Sequence, residues 1–287
     1  MDLLVVGGSG FLGRAVVRQA RSANHRVTAT FHRNGVVADD SRSLDIRDRA
    51  AVVRLVERLR PEVVVNAAYV QADWATTADG AMHVAAAAAH VGARLVHVSS
   101  DALFSGRATA YDESCAPDPI TPYGAAKAAA ETAVKGLVPD AVIARTSLII
   151  GDGDSGHERF VHALAAGATK GALFTEVVRC PVHVTDLAAA LLELAGPPHA
   201  GPPHVGPPHV GMPHVGMHHV AGADAVSRYE LGVLIARRDG LDETLLPAAP
   251  GTDFGPLDVR LDCTATQARL TTRLRGAHEF LHSDAQG

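Results

Sequence analysis

The first twenty residues constrain the fold most. Leu3-Leu4-Val5-Val6 is a short apolar run, and Gly7, Gly10 and Gly13 follow it at three-residue spacing. Arg14-Ala15-Val16-Val17-Arg18-Gln19-Ala20 then reads as a helix. The order predicts strand, tight turn, helix. Gly7 makes the turn, Gly10 admits a pyrophosphate against the backbone, and Gly13 lets helix and strand pack closely. The helix start offers free N–H groups and the positive end of its dipole to phosphates. Phe11 and Leu12, between the last two glycines, join them as candidate cofactor contacts. In a chain of 27 glycines the spacing alone is weak. Its place between an apolar strand and a helical pattern is the context a dinucleotide site requires.

The next segments repeat the strand–helix alternation. Arg26 to Phe31 alternates as a second strand and ends in His32-Arg33. The residue there faces the adenosine ribose, where an acid binds a 2′-hydroxyl and a base accommodates a 2′-phosphate. His32 and Arg33, with no carboxylate along the chain until Asp39, favour NADP(H) over NAD. Leu44-Asp45-Ile46 precedes a helix from about Asp48 to Leu59. Asp45 there either bonds the adenine amino group, with Ile46 beside it, or is an acid favoured at a helix entry. Glu62 to Val65 is a buried strand opening into Asn66-Ala67-Ala68-Tyr69, where Ala67 and Ala68 leave room for the cofactor. Thr76 to Val91 is an alanine-rich helix, whose His83 and His90 read as surface histidines. Arg94 to Val98 is the next strand. Strands alternating with helices give the fold class α/β, a Rossmann-type doubly wound parallel sheet.

Candidate chemistry begins at the end of that strand. In open α/β sheets ligands lie beyond the carboxyl ends of the strands, which is where Ser99-Ser100-Asp101 emerges. Downstream, Tyr123 and Lys127 are four apart at a helix start, hence on one face. An ammonium beside a phenol is expected to lower its pKa and make Tyr123 a usable proton donor or acceptor. Ser100 can orient a carbonyl. Ser100, Tyr123 and Lys127 are the candidate catalytic residues, and Tyr123 and Lys127 also face the cofactor.

With these residues in hand, the chain resembles an extended short-chain dehydrogenase/reductase, and more closely the dTDP-4-dehydrorhamnose reductase family. The resemblance runs through the glycine turn, Val65-Asn66-Ala67-Ala68, Ala93 to Phe104, Pro122 to Lys127, Ala144-Arg145-Thr146-Ser147 and Pro181 to Ala188. It implies NADPH-dependent reduction of a 4-keto sugar nucleotide, with hydride from the nicotinamide and a proton from Tyr123. Asp101 and Arg179 fall on the substrate side, as does Arg260 in Asp258-Val259-Arg260-Leu261-Asp262. Four positions depart from the pattern: Ser100 for the catalytic threonine, Val6 for a threonine, Thr77 where a helix asparagine supports a proton relay, and Ala102 where a tyrosine lines the sugar pocket. Ala102 also lacks the glutamate of the related dehydratases and the cysteine of the epimerase-reductases, which leaves simple reduction. Other readings are reduction of a non-sugar ketone and a catalytically silent NADP-binding regulatory subunit.

On this reading residues 1–145 form the NADP-binding Rossmann domain. Residues 146–287 are mainly a smaller C-terminal substrate-binding region, interleaved with it near 176–196. Gly151-Asp152-Gly153-Asp154 reads as a flexible polar loop without calcium-ligand spacing. Arg145, Arg159, Arg179, Arg228 and Arg260 are candidates to clamp a diphosphate, because arginine's fork suits phosphate oxygens.

From Gly196 to Val220 five pentapeptides run in tandem, four with proline in third place and the last, Gly-Met-His-His-Val, without one. The last copy resembles the family's ordinary strand. The proline copies favour extended polyproline-like structure or disorder. Histidines 199, 204, 209, 214 and 219 suggest a metal, but without acidic or cysteine partners a solvated insertion with no metal is the expectation.

Net charge of −5 and the absence of a basic run point away from nucleic acid. Cys115, Cys180 and Cys263, odd in number and without a C-x-x-C, point to a reducing compartment. No stretch reads as a membrane span, and the start lacks the basic region of a signal peptide, so a cytoplasmic protein is expected. Its expected partner is a small molecule; a homodimer is left open.

Overall fold

The computed structural model describes residues 1–33, 40–108, 110–196, 214–251 and 255–282. Seven strands make one sheet: β1 (Asp2–Val6), β2 (Arg26–Phe31), β3 (Ser41–Ser43), β4 (Val63–Asn66), β5 (Arg94–Ser100), β6 (Val142–Thr146) and β7 (Gly216–His219). They pair in the order β7-β6-β5-β4-β1-β2-β3, every pair parallel. The sequence reading missed β3, three polar residues too short and too exposed to carry an apolar alternation.

Side chains of a strand alternate between faces, and the core follows that period. Leu3 and Val5 of β1 and Val63 and Val65 of β4 face a layer made by α1 (Phe11–Ser22) and α6 (Val184–Ala195). Leu4, Val6 and Val64 face the other layer. That layer is built by α2 (Arg49–Leu59), α3 (Gly80–Val91) and α4 (Pro122–Leu137). Asp48 caps α2 by accepting the Ala51 N–H at 2.9 Å, so the helix-entry acid is Asp48 rather than Asp45. Thr121 caps α4 in the same way through the Gly124 N–H, with Pro122 in its first turn.

The C-terminal half builds a further core. α5 (Gly156–Ala165) and α7 (Arg228–Arg238) bring together Val161, Leu164, Leu231 and Ile235, with Ile150 and Leu281. The chain returns to the large sheet through α6, β7, Leu270 and Leu274. The 151–154 loop, read as flexible, is fastened instead. Buried Glu158 accepts the N–H groups of Gly151 (3.0 Å), Gly153 (2.9 Å) and Ser155 (2.9 Å) and pairs with Arg238 at 2.8 Å.

The last repeat copy is the edge strand β7, and hydrogen-bond parity explains why it is this copy. Gly216 N–H donates to Ala141 at 2.9 Å and Val220 N–H to the Arg145 carbonyl at 2.8 Å. In a parallel ladder alternate residues donate to the same neighbour, so the His218 N–H, paired opposite Ala144, serves the Ile143 carbonyl. Third place in the unit must therefore carry an N–H. It is His218 in the last copy and Pro198, Pro203, Pro208 and Pro213 in the others. The last copy is a strand, as its resemblance implied, with His218 and His219 buried; the solvated insertion is corrected at His214, which is buried too. His199, His204 and His209, and the polyproline expectation for 197–213, lie outside the described residues.

Candidate active site

The turn after β1 is set by close approach. Gly7 has a φ of +78°, and a Cβ on it would lie 2.8 Å from the Ala68 backbone; one on Gly13 would lie 2.1 Å from the Gly7 carbonyl oxygen. Both places exclude side chains. Val6, in place of the family threonine, is buried in the core, and the Gly7 N–H is taken by Thr30 of β2 at 3.1 Å. α1 therefore begins just beyond the carboxyl end of β1, with no side-chain cap and no acid in its first turn. Its start opens into a cleft of about 960 Å³. The cleft runs along the carboxyl ends of β1, β2, β4, β5 and β6. Gly7, Gly10, Phe11, Leu12 and Gly13 line it, as do Ala67 and Ala68 across from them.

At the far end of β2, His32 and Arg33 line the same cleft with Asp45 and Ile46. The strip is less free of carboxylates than the linear sequence reads: Asp45 lies 3.9 Å from His32. Arg47 neutralises it with a fork-to-fork contact (2.6 and 2.9 Å) and reaches Asp73 at 3.8 Å. Arg47 and Asp73 were missed, although the acid–x–arginine spacing at 45–47 was a usable signal. Asp39 lies outside the described residues. His83 bonds the Ile46 carbonyl, and His90 pairs with Glu57.

At the other end the cleft meets Ser100, Asp101, Tyr123 and Lys127. Gly124 allows this, since a Cβ there would lie 2.1 Å from the Ala102 carbonyl oxygen, so α4 seats directly on the turn after β5. Ser100 caps that turn through the Ala102 N–H at 3.2 Å, donates to Asp101 at 3.3 Å and lines the cleft with Tyr123. Asp101 is held by the Ser147 hydroxyl at 2.6 Å and by Arg179 at 3.6 Å. Lys127 is buried, and its ammonium donates to the Val98 carbonyl at 3.0 Å.

The expectation that Lys127 lowers the Tyr123 pKa is corrected. Burial pushes the phenol above its ordinary value, with Tyr69 and Asp101 adding to this and the Ser100 hydroxyl opposing it. Burial also pushes the Lys127 ammonium down to about 8, against the pull of Glu131. A phenol so placed keeps its proton at neutral pH, which suits a donor. Thr77 closes its own loop, accepting from the Val70 N–H at 3.1 Å and donating to the Val70 carbonyl at 2.8 Å.

The five arginines separate by burial and partner. Arg145 is buried and bound at both ends of its fork to buried Glu131 (2.9 and 3.0 Å), so it is withdrawn as a diphosphate clamp. Arg260 is exposed, pairs with Asp258 at 2.8 Å and does not line the cleft. Arg159 is exposed and bonds the Asp154 carbonyl. Arg179 lines both the main cleft and a neighbouring, mostly apolar cavity of about 490 Å³ that includes Leu148, Phe160, Leu173 and Phe174. Half-buried Arg228 joins it there, with a hydrogen bond to His157 at 3.1 Å. Burial and the nearby Arg179 push its guanidinium down to about 10, Asp101 opposing. Ser147, Tyr69 and His157 were missed as cleft residues; Tyr69 directly follows Ala67 and Ala68, whereas tertiary packing brings Ser147 and His157 there. Cys115, Cys180 and Cys263 are free thiols.

Among the described residues no helix is long and apolar enough to cross a membrane, and no three His, Cys, Asp or Glu side chains gather as a metal site. Residues 1–281 match the family model described as the RmlD substrate binding domain. A probable low-salt glycan biosynthesis reductase of Haloferax volcanii is 32% identical over 211 residues, 68% of this chain and 70% of that protein. The dTDP-4-dehydrorhamnose reductase of Mycolicibacterium smegmatis is 33% identical over 205 residues, 67% of this chain and 59% of that protein. In fold, the chain is similar to the dTDP-4-dehydrorhamnose reductase of Bacillus anthracis solved in complex with NADP. That likeness has a TM-score of 0.79 at 22% identity, covering 98% of this chain and 97% of the other.

Proposed function

The chain belongs to the RmlD substrate binding domain family, and from that premise we propose that it is an NADP(H)-dependent reductase of a keto group. The 4-keto group of a 6-deoxy sugar nucleotide is the substrate this reading favours. One observation carries it: the open start of α1, the basic end of β2, Ser100, Tyr123, Lys127 and Arg179 all face one cleft.

The residues fit the cofactor on their own terms. Side chains are excluded at Gly7 and Gly13, and the α1 start has neither cap nor acid, which suits a pyrophosphate. Gly10, Phe11 and Leu12 would continue that contact, Asp45, Ile46, Ala67 and Ala68 would flank the adenosine, and His32 and Arg33 would meet the 2′-phosphate. When bound, NADPH supplies hydride. The chain's own residues do the rest. Tyr123 holds a proton at its phenol oxygen and gives it to the carbonyl oxygen; Ser100 donates to that oxygen and orients it. Lys127 keeps a positive charge beside the phenol. Asp101 fixes Arg179, which with Arg228 offers guanidinium charge to a diphosphate, and the apolar cavity beyond suits a nucleoside base. Residues 146–287 on this reading mainly supply the substrate side.

The test is NADPH oxidation against dTDP-4-keto sugars and a panel of unrelated ketones. Turnover of a keto sugar nucleotide is expected; turnover of other ketones alone moves the substrate class, and none at all favours a silent nucleotide-binding subunit. For the cofactor, Arg33→Ala should weaken NADPH by about 1–3 kcal/mol and leave NADH unchanged in a fluorescence titration. Equal binding of the two by the unaltered protein contradicts the assignment.

A further inference from the structure

Lys127 is an ammonium taken almost wholly out of water. Its hydrogen bond goes to a neutral carbonyl, that of Val98. The carboxylate whose charge reaches it, Glu131 one turn along α4, is engaged by both arms of Arg145. From β5, His97 adds no compensation. It is buried, pushed down to about 3 by burial and by Lys127 itself, and neutral at ordinary pH. On the cleft side stand two aromatic rings. The Tyr69 ring centroid is 5.2 Å from the Lys127 nitrogen and the Tyr123 centroid 6.0 Å. The two rings are 5.9 Å apart, tilted by 47°.

The loop that presents Tyr69 is anchored. Val70 and Thr77 exchange two hydrogen bonds across it. Asp73 accepts from the Ala75 N–H at 3.1 Å and the Thr76 hydroxyl at 2.6 Å, and lies 3.8 Å from Arg47. Tyr69 itself is 54% exposed, so its ring serves the cleft wall rather than the core.

We propose that Tyr69 is a positioning residue whose ring holds Lys127 charged beside Tyr123. Its importance for turnover rests on the reductase reading; its effect on the lysine does not. An aromatic face within about 6 Å of an ammonium favours the charged form by a factor of roughly 2 to 30. Because Lys127 sits near the point where charge is lost at mildly alkaline pH, a factor of that size decides its state.

The chain has three lysines, Lys127, Lys135 and Lys170, and the latter two are exposed. Labelling the lysine ε-carbons of the full chain and titrating by NMR therefore isolates Lys127 as the signal that titrates low. In Tyr69→Leu it should lose its proton about 0.3 to 1.5 pH units lower, the range set by that factor, while Tyr69→Phe, which keeps the ring, should match the unaltered protein. In the alkaline limb of the reductase rate, Tyr69→Leu should fall off at lower pH and Tyr69→Phe should not. An unchanged lysine titration in Tyr69→Leu, or an equal drop in Tyr69→Phe, overturns the proposal. Absence of any keto-reductase activity leaves that titration readable and counts against the function instead.

Discussion

The turn after β1 and the edge strand β7 are both glycine-led segments, yet they are specified in opposite ways. The turn is imposed by exclusion: at Gly7 and Gly13 a single added carbon meets backbone at 2.8 and 2.1 Å. β7 is imposed by selection, since four similar pentapeptides precede it and one backbone N–H, that of His218, sets it apart. The first kind of signal is visible in a short window of sequence. The second appears only when the neighbouring strand is known, because parity decides which N–H must point inward.

The largest effect should come from the excluded positions. Gly13→Ala must push α1 away from the Gly7 carbonyl, at about 3 kcal/mol of stability, with loss of NADPH binding, read by denaturant unfolding and fluorescence titration. Near-native values for both would mean that the turn yields.

At β7 the comparison is sharpened by two substitutions of one residue. His218→Ala keeps the N–H and His218→Pro removes it, leaving the Ile143 carbonyl unpaired. The proline variant should be less stable than the alanine variant by about 1–3 kcal/mol. Equal stability would break the parity argument.

Acid should also separate the regions, because buried histidines belong to β5 and β7 and none to the turn. His97 is pushed down to about 3 and His218 to about 4, both mainly by burial. A histidine with a depressed folded value takes up its proton more readily when unfolded. Its stabilisation is complete above the ordinary value of about 6.5 and is lost as pH falls below it. Stability should therefore drop by about 1.4 kcal/mol per pH unit for each such histidine between about pH 6 and 4. Replacing His218 by Gln should remove one share of that slope.

The smallest effect belongs to the proline copies. Excising residues 201–210, two whole units, should change stability by about 1 kcal/mol or less, since the length of chain between two fixed elements enters only logarithmically. Loss of folded protein would give those copies a role that the edge strand alone does not require.

The same contrast explains how much the sequence disclosed. The alternation of apolar strands with helices was legible, as were the positions of Ser100, Tyr123 and Lys127, because each follows from period or local spacing. The arginines were not. Arg145 and Arg179 both leave short strands in family-like motifs, but one meets Glu131 in the interior and the other meets Asp101 at the cleft. Period and spacing do not distinguish them; the resemblance alone set Arg179, with Arg260, on the substrate side. The direction of the Tyr123 shift failed for a related reason: proximity to Lys127 was readable, whereas the burial that outweighs it was not. β3 escaped because three half-exposed polar residues carry no pattern.

The central claim is that Tyr123 gives the proton in a reduction performed in this cleft. Tyr123→Phe removes the hydroxyl and nothing else. It should still bind NADPH while losing turnover of the true substrate by at least about 10²–10⁴-fold, the usual contribution of a positioned acid. Full activity in Tyr123→Phe would contradict the mechanism and the function drawn from it.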